Sequence, residues 1–231
     1  MKLLLQQISS PYISELFARS QFDGVMIDHE HGCFNDESLF SSIQVITLLK
    51  KKVFVRLTDF DKRIVRLCLD AGVTGLIFST VESLEYAKAI VDFSHYPPRG
   101  RRGQGLVREN NWGADGLGNY TPLLIAQIET KTGVDNLDAI MQAGFDRYLI
   151  GPYDLSASLG HPGNFTHPDY LAYQQKVITT VGKENLGIFC VKSKDVLTQY
   201  PKYKDDFGFF VLGMDSTFIL ESIETIEKEV F

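Results

Sequence analysis

The 231-residue sequence predicts an α/β protein, a single (β/α)8 TIM barrel spanning residues 1–231. Three observations lead there. Short apolar or β-branched runs recur eight times along the whole length. Most are continuously apolar rather than alternating, as expected of parallel strands covered on both faces. Amphipathic stretches separate them, the pattern of a repeated β/α unit. An open doubly wound sheet is the alternative, although such sheets usually have fewer strands. Barrels of this kind typically need about 250 residues, so this one is compact.

The elements follow in order. The first strand is read in "KLLLQQ" at 2–7 and the second in "GVMID" at 24–28. "VFVRL" at 53–57 is the third. The helix after it, "DKRIVRLCLDAG", places Ile64, Leu67 and Cys68 on one face and ends at a glycine suited to a helix C-terminus. "GLIFS" at 75–79 precedes the amphipathic "SLEYAKAIVDF", and "LLIAQI" at 123–128 precedes the amphipathic "GVDNLDAIMQAG". "RYLIG" at 147–151, "LGIFC" at 186–190 and "FFVLG" at 209–213 complete the set. No linker, internal repeat or low-complexity tract interrupts it.

Composition narrows the partners. A net charge of −6 without any basic run argues against nucleic acid or an anionic membrane. No apolar stretch approaches the ~20 residues that span a bilayer. The N-terminal "MKLLLQQISSPYISEL" lacks a long apolar region and a small-residue cleavage site, so no signal peptide is expected. Cys33, Cys68 and Cys190 are widely spaced and form no CxxC pair, which disfavours a disulfide framework or a thiolate zinc site. A soluble cytoplasmic protein is expected.

Barrel active sites lie at the C-terminal ends of the strands, so the ionisable residues closing each run are the candidates. Asp28 ends the second strand and runs into Glu30 and His31 in "DHEHG". Buried charge costs several kcal/mol unless paired or bound to a metal. This segment is therefore expected at the barrel mouth, wet and facing a common site. Arg56 stands near the end of the third strand, Glu129 directly follows the fifth, and Asp154 lies in "GPYDLSASLG" after the sixth. Glu129 and Asp154 follow sequential strands, neighbours ~4.8 Å apart. Two such carboxylates can share a hard divalent cation such as Mg²⁺, or be unrelated rim acids. Arg56 needs an anion, either these acids or a substrate carboxylate. His31 is either a hydrogen-bonded loop residue or a general base tuned by Asp28 and Glu30. "YPPRGRRGQG" at 96–105 has the glycines and charge of a phosphate loop but neither the P-loop ending nor the dinucleotide order. "NWGADGLGNY" at 111–120 reads as a lid or connector.

Together these pieces resemble the class II pyruvate-dependent aldolases of the HpcH/HpaI family, which includes 2-dehydro-3-deoxyglucarate and 4-hydroxy-2-oxoheptanedioate aldolases. The resemblance is carried by "FDGVMIDHEHG", "VRL", "LDAGVTGLIFSTVES", "YPPRGRRGQG", "AQIETKTGVDNLDAI", "GPYDLSASLGHPGNFTHPD" and "VLGMDSTFI", from about residue 10 to 220. It implies a barrel of the phosphoenolpyruvate/pyruvate type that assembles through exchanged C-terminal helices into a homo-oligomer, commonly a hexamer. It implies a divalent cation (Mg²⁺, Mn²⁺ or Co²⁺) on Glu129 and Asp154, catalysis by His31, enolate stabilisation by Arg56 and a pyruvate contact from Gln127. Asp70 would support the His31 of a neighbouring subunit. Backbone amides from Gly151 through Tyr153 to Asp154 would receive the pyruvate carboxylate.

Three departures bear on the entrance and the acceptor side. The Gly-x-Trp element usual near the first strand is missing, Tyr153 stands where Ala is usual, and the stretch from Asn111 to Pro122 leaves no room for a helix before strand five. The implied reaction is reversible aldol cleavage of a 4-hydroxy-2-oxo acid to pyruvate and an aldehyde. No lysine is needed, and Lys131 is the only Schiff-base candidate. The alternatives are a lyase of the citrate lyase β-subunit or malyl-CoA lyase type, and a non-catalytic barrel.

Overall fold

The computed structural model describes residues 1–231. Its strands are β1 Lys2–Gln6, β2 Gly24–Asp28, β3 Lys52–Leu57, β4 Gly75–Phe78, β5 Leu123–Ile128, β6 Arg147–Ile150, β7 Leu186–Cys190 and β8 Phe209–Met214. All pair in parallel and close into one barrel in chain order, which excludes the open sheet. Outside lie α1 Pro11–Ala18, α2 Asp36–Leu48, α3 Lys62–Ala71, α4 Leu84–Ser94, α5 Lys131–Asp135 and α6 Leu137–Met141. The remaining helices are α7 Pro152–Ser158, α8 Pro168–Val181, α9 Ser193–Tyr203 and α10 Asp215–Val230. None is long and apolar enough to cross a membrane.

Local chemistry sets the helix ends. Asn35 accepts the Ser38 N–H at 2.9 Å while the Ser38 hydroxyl accepts the Asn35 N–H at 3.1 Å, a reciprocal cap that starts α2. Gly72 ends α3 at φ 83°, where a side chain would be strained. Two expectations need correction. The buried face of α3 is Ile64, Val65, Cys68, Leu69 and Ala71, with Leu67 only half-buried, so the apolar stripe is broader and rotated. "GVDNLDAIMQAG" is not one helix. It breaks at Asn136 (φ −95°, ψ 7°), whose side chain donates to the Glu82 carbonyl at 2.8 Å. Before β5 there is only a 3₁₀ turn at Arg108–Gly113, as the short spacing implies.

Alternation along each strand divides the core. Val25, Ile27, Val53, Val55, Leu76 and Phe78 pack outward against the helices. Met26, Phe54, Ile77, Ile125, Leu149 and Phe209 fill the lumen. Followed toward the C-terminal ends, the inward register turns from apolar to polar. Gln7 follows Leu5, Asp28 follows Met26, Arg56 follows Phe54, Ser79 follows Ile77, and Gln127 then Glu129 follow Ile125. The fold therefore floors its mouth with hydrocarbon and rings it with polar groups.

Candidate active site

Asp28 is fully buried, not wet as the sequence predicts. Its register partner across the sheet is Arg56, which donates Nε to Oδ1 at 2.9 Å and Nη2 to Oδ2 at 2.7 Å. Oδ2 also accepts from the Gln7 side chain at 3.0 Å, and Oδ1 accepts the Glu30 and His31 amides at 3.2 and 3.3 Å. Burial works against its charge, but the Arg56 bonds and charge outweigh that and hold the carboxyl below its ordinary range. One carboxylate thus fixes both the arginine and the turn that carries Glu30 and His31. The anion that Arg56 requires is Asp28, with Glu30 Oε2 at 3.1 Å from Nη1, and neither Glu129 nor Asp154 pairs with it.

Glu129 is also buried. Thr80 donates its amide (2.7 Å) and hydroxyl (2.9 Å) to Oε1, while Gln127 Nε2 donates to Oε2. Thr80 holds φ at 52°, unusual for a β-branched residue, and both of its donors converge on this one oxygen. Burial raises the Glu129 pKa, the Gln127 and Thr80 bonds oppose that, and the Glu30 charge adds to the rise. Gly151 packs against it. A Cβ there would lie 2.6 Å from Glu129 Oε2 and 2.7 Å from its Cβ. The Gly151 amide is spent on the Ile128 carbonyl at 3.2 Å, and Pro152 has none, which corrects the expectation that Gly151 receives a carboxylate. The first-turn amides of α7 that remain are those of Tyr153 and Asp154, uncapped by any side chain. Asp154 itself is exposed and pairs with no cation.

Other candidates are placed elsewhere. The His31 side chain is 60% exposed, with Nε2 3.8 Å from Glu30. His29 turns toward Asp36, Arg63 and Asp61, and burial lowers its pKa. Asp70 lies in the last turn of α3, at the opposite end of the barrel from His31, and accepts from Arg102 Nη2 at 2.8 Å. The Tyr153 ring meets Phe165 edge-on at 5.1 Å and walls a cavity of about 440 Å³ between α8 and α9. Lys131 binds Asp135 at 2.6 Å, which raises its pKa and makes it a poor Schiff-base nucleophile. In "YPPRGRRGQG" Arg99, Arg101 and Arg102 engage Gly144, Asp92 and Asp70, so no phosphate loop forms. His161, His167 and Asp169 cluster beyond α7, but His167 Nδ1 accepts the Asp169 amide and caps α8.

A hard divalent cation fits this mouth. Glu129 and Asp154 offer carboxylate oxygens, and Asp28 already balances Arg56. Glu30 Oε2, Gln127 Oε1 and Ser79 Oγ are buried without hydrogen-bond partners, an arrangement that calls for a polar ligand. Sequence reasoning missed Gln7, Ser79 and Thr80 as site residues. Gln7 and Ser79 were legible as the polar ends of the inward register, whereas Thr80 carried no such signal.

Barrel and mouth together define a (β/α)8 protein with an acid-and-arginine site at its strand ends. The profile of the HpcH/HpaI aldolase/citrate lyase family matches residues 3–219, and the chain belongs to this family. A 2-keto-3-deoxy-L-rhamnonate aldolase of Salmonella gallinarum is 35% identical over 170 residues, 70% of this chain and 63% of the relative. Its counterpart in Escherichia coli is 34% identical over 181 residues, covering 74% and 66%. The chain thus spans slightly less than two thirds of these relatives' length. A family member of solved structure from Burkholderia cenocepacia superposes with a TM-score of 0.88 at 27% identity, over 100% of this chain and 94% of that one. The citrate synthase SbnG does so at 0.82 and 28%, over 99% and 91%.

Proposed function

We propose that this chain is a divalent-cation-dependent carbon–carbon lyase cleaving a 4-hydroxy-2-oxo acid to pyruvate and an aldehyde, reversibly. One observation carries the reading: a buried Glu129 and an unpaired Asp154 follow the ends of adjacent strands, at the same mouth as an arginine locked by its own acid. The aldolase relatives named above support it. A bound cation would be held by Glu129 and Asp154 and would supply Lewis acidity to the oxygens of the 2-oxo acid.

The chain's residues do the rest. Asp28 occupies Nε and Nη2 of Arg56, so Nη1, which lies 3.1 Å from Glu30 Oε2 and carries a second N–H, is the donor for charge developing on the enolate oxygen. The Tyr153 and Asp154 amides at the start of α7 suit the substrate carboxylate. His31, solvent-facing beside Glu30, takes the proton of the substrate hydroxyl in cleavage and returns it in addition. Gln127 holds Glu129 and orients the pyruvate side of the site.

Exhaustive chelation is expected to abolish pyruvate release from 4-hydroxy-2-oxo acids, with Mg²⁺, Mn²⁺ or Co²⁺ restoring it. Full activity in excess chelator, with borohydride trapping pyruvate on Lys131, would sink the proposal. Likeness to a citrate synthase favours a second reading, carbon–carbon chemistry on a citrate-type substrate. Assays with such acids, with and without CoA, separate the two.

A further inference from the structure

We infer that Glu30 is a third acid of the cation site, holding a water of the cation's hydration shell through Oε2 rather than ligating the ion directly. The inference rests on the reading of Glu129 and Asp154 as the ligands. Three observations point to it. Asp28 clamps the Glu30 and His31 amides, so the Glu30 side chain springs from a fixed turn at the lumen. Its side chain is only 11% exposed, and Oε2 is buried with no hydrogen bond. The 3.1 Å approach of Arg56 Nη1 does not fill that need, because the arginine aligns its other donors on Asp28.

The second observation is electrostatic. Asp28 and Arg56 cancel, which leaves Glu30 as excess negative charge at the mouth that Glu129 and Asp154 also line. A largely buried acid left without a net counter-charge is costly unless a cation joins it. The third is the neighbourhood. Gln127 Oε1 and Ser79 Oγ, both at strand ends of the same mouth, are likewise buried and unpartnered. A hydrated divalent ion answers both needs, since Mg²⁺ and its analogues keep several waters whose O–H groups donate outward. Glu30 as a mere second partner of Arg56 accounts for neither the orphaned oxygen nor its company.

Mn²⁺ binding to the apo protein, followed by titration calorimetry and by loss of the free-ion EPR signal, tests this without any turnover. Glu129→Ala is expected to abolish binding. Glu30→Gln, which keeps the shape but loses the charge, is expected to weaken it about 10–100-fold, as loss of an outer-shell partner does. Glu30→Asp keeps the charge one methylene further back and is expected to lose less, and it serves if Glu30→Gln does not fold in a circular-dichroism melt. Wild-type Mn²⁺ affinity in a folded Glu30→Gln or Glu30→Asp protein, with Glu129→Ala inactive in binding, overturns the inference and leaves the parent reading standing. Wild-type affinity in Glu129→Ala overturns both.

Discussion

Asp28 shows how much one side chain settles here. It takes five hydrogen bonds, from Arg56 twice, Gln7, Glu30 and His31, and it reaches none of the solvent. Asp28→Ala strands a buried guanidinium and is expected to cost about 3–5 kcal/mol in denaturant unfolding. The pH dependence follows from the sign. The folded pKa lies below the ordinary 3.8, so the stabilisation is present above that value and is lost as pH falls through the folded one. Asp28→Asn should flatten that part of the acid limb of a stability-versus-pH curve. His31 behaves in the opposite way. Because it is 60% exposed, His31→Ala should leave stability within about 0.5 kcal/mol while lowering turnover by about 10²–10⁴-fold. Arg56→Lys keeps the charge but not the fork, and turnover should fall by about 10²–10³-fold. Exchange of pyruvate methyl hydrogens in deuterated water, followed by NMR without aldehyde, separates the roles: exchange at the wild-type rate in both variants would mean that neither residue touches the enolate step.

The junction of β6 and α7 is where an element decides the chemistry. Gly151 lets the backbone pass against Glu129, and the next residue, Pro152, opens α7 with an amide-free position. Gly151→Ala is expected to push the Glu129 carboxylate aside and weaken Mn²⁺ binding by at least tenfold, read by calorimetry, with α7 intact by circular dichroism. Binding at wild-type strength would mean that Glu129 has slack the structure does not show. The motif "GPYDLSASLG" was legible in the sequence as a site loop, because an acid directly after a strand end lies at the mouth by topology. Which amides of that loop stay free was not legible. That depends on the register of β5 against β6, which commits the Gly151 N–H to Ile128.

At the scale of the molecule, the barrel leaves one element unfinished. α10 touches β1, β8 and α9, yet Ile219, Leu220, Ile223, Ile226 and Val230 along it are all exposed. A stripe of this kind marks an interaction surface. The expected Asp70–His31 contact would have to be made between subunits. α3 runs back toward the strand N-termini, so its last turn cannot meet the His31 of its own chain. Light scattering is expected to show a homo-oligomer, with a hexamer as the leading expectation. The double variant Leu220→Glu, Ile223→Glu should dissociate it, lose aldol cleavage and keep Mn²⁺ binding. A stable monomer with full activity would refute both the exchange of α10 and the reach of Asp70.

What the sequence by itself determined is the barrel and the positions that ring its mouth. Strand identity is local: a run such as "GVMI" is apolar at every position because both faces are covered, and that is visible without any partner. Topology then carries Asp28, Arg56, Glu129 and Asp154 to one end. The tertiary structure alone decided which of them pair. Asp28 was expected wet and is instead the buried partner of Arg56. Lys131 was a candidate nucleophile and is tied to Asp135. Thr80 showed no sign of a role and clamps Glu129 with two donors. The pairings of Asp28 with Arg56 and of Thr80 with Glu129 depend on strand register and on hydrogen-bond directions between residues tens of positions apart, and a single-residue slip of β2 or β3 would turn Asp28 or Arg56 to the other face.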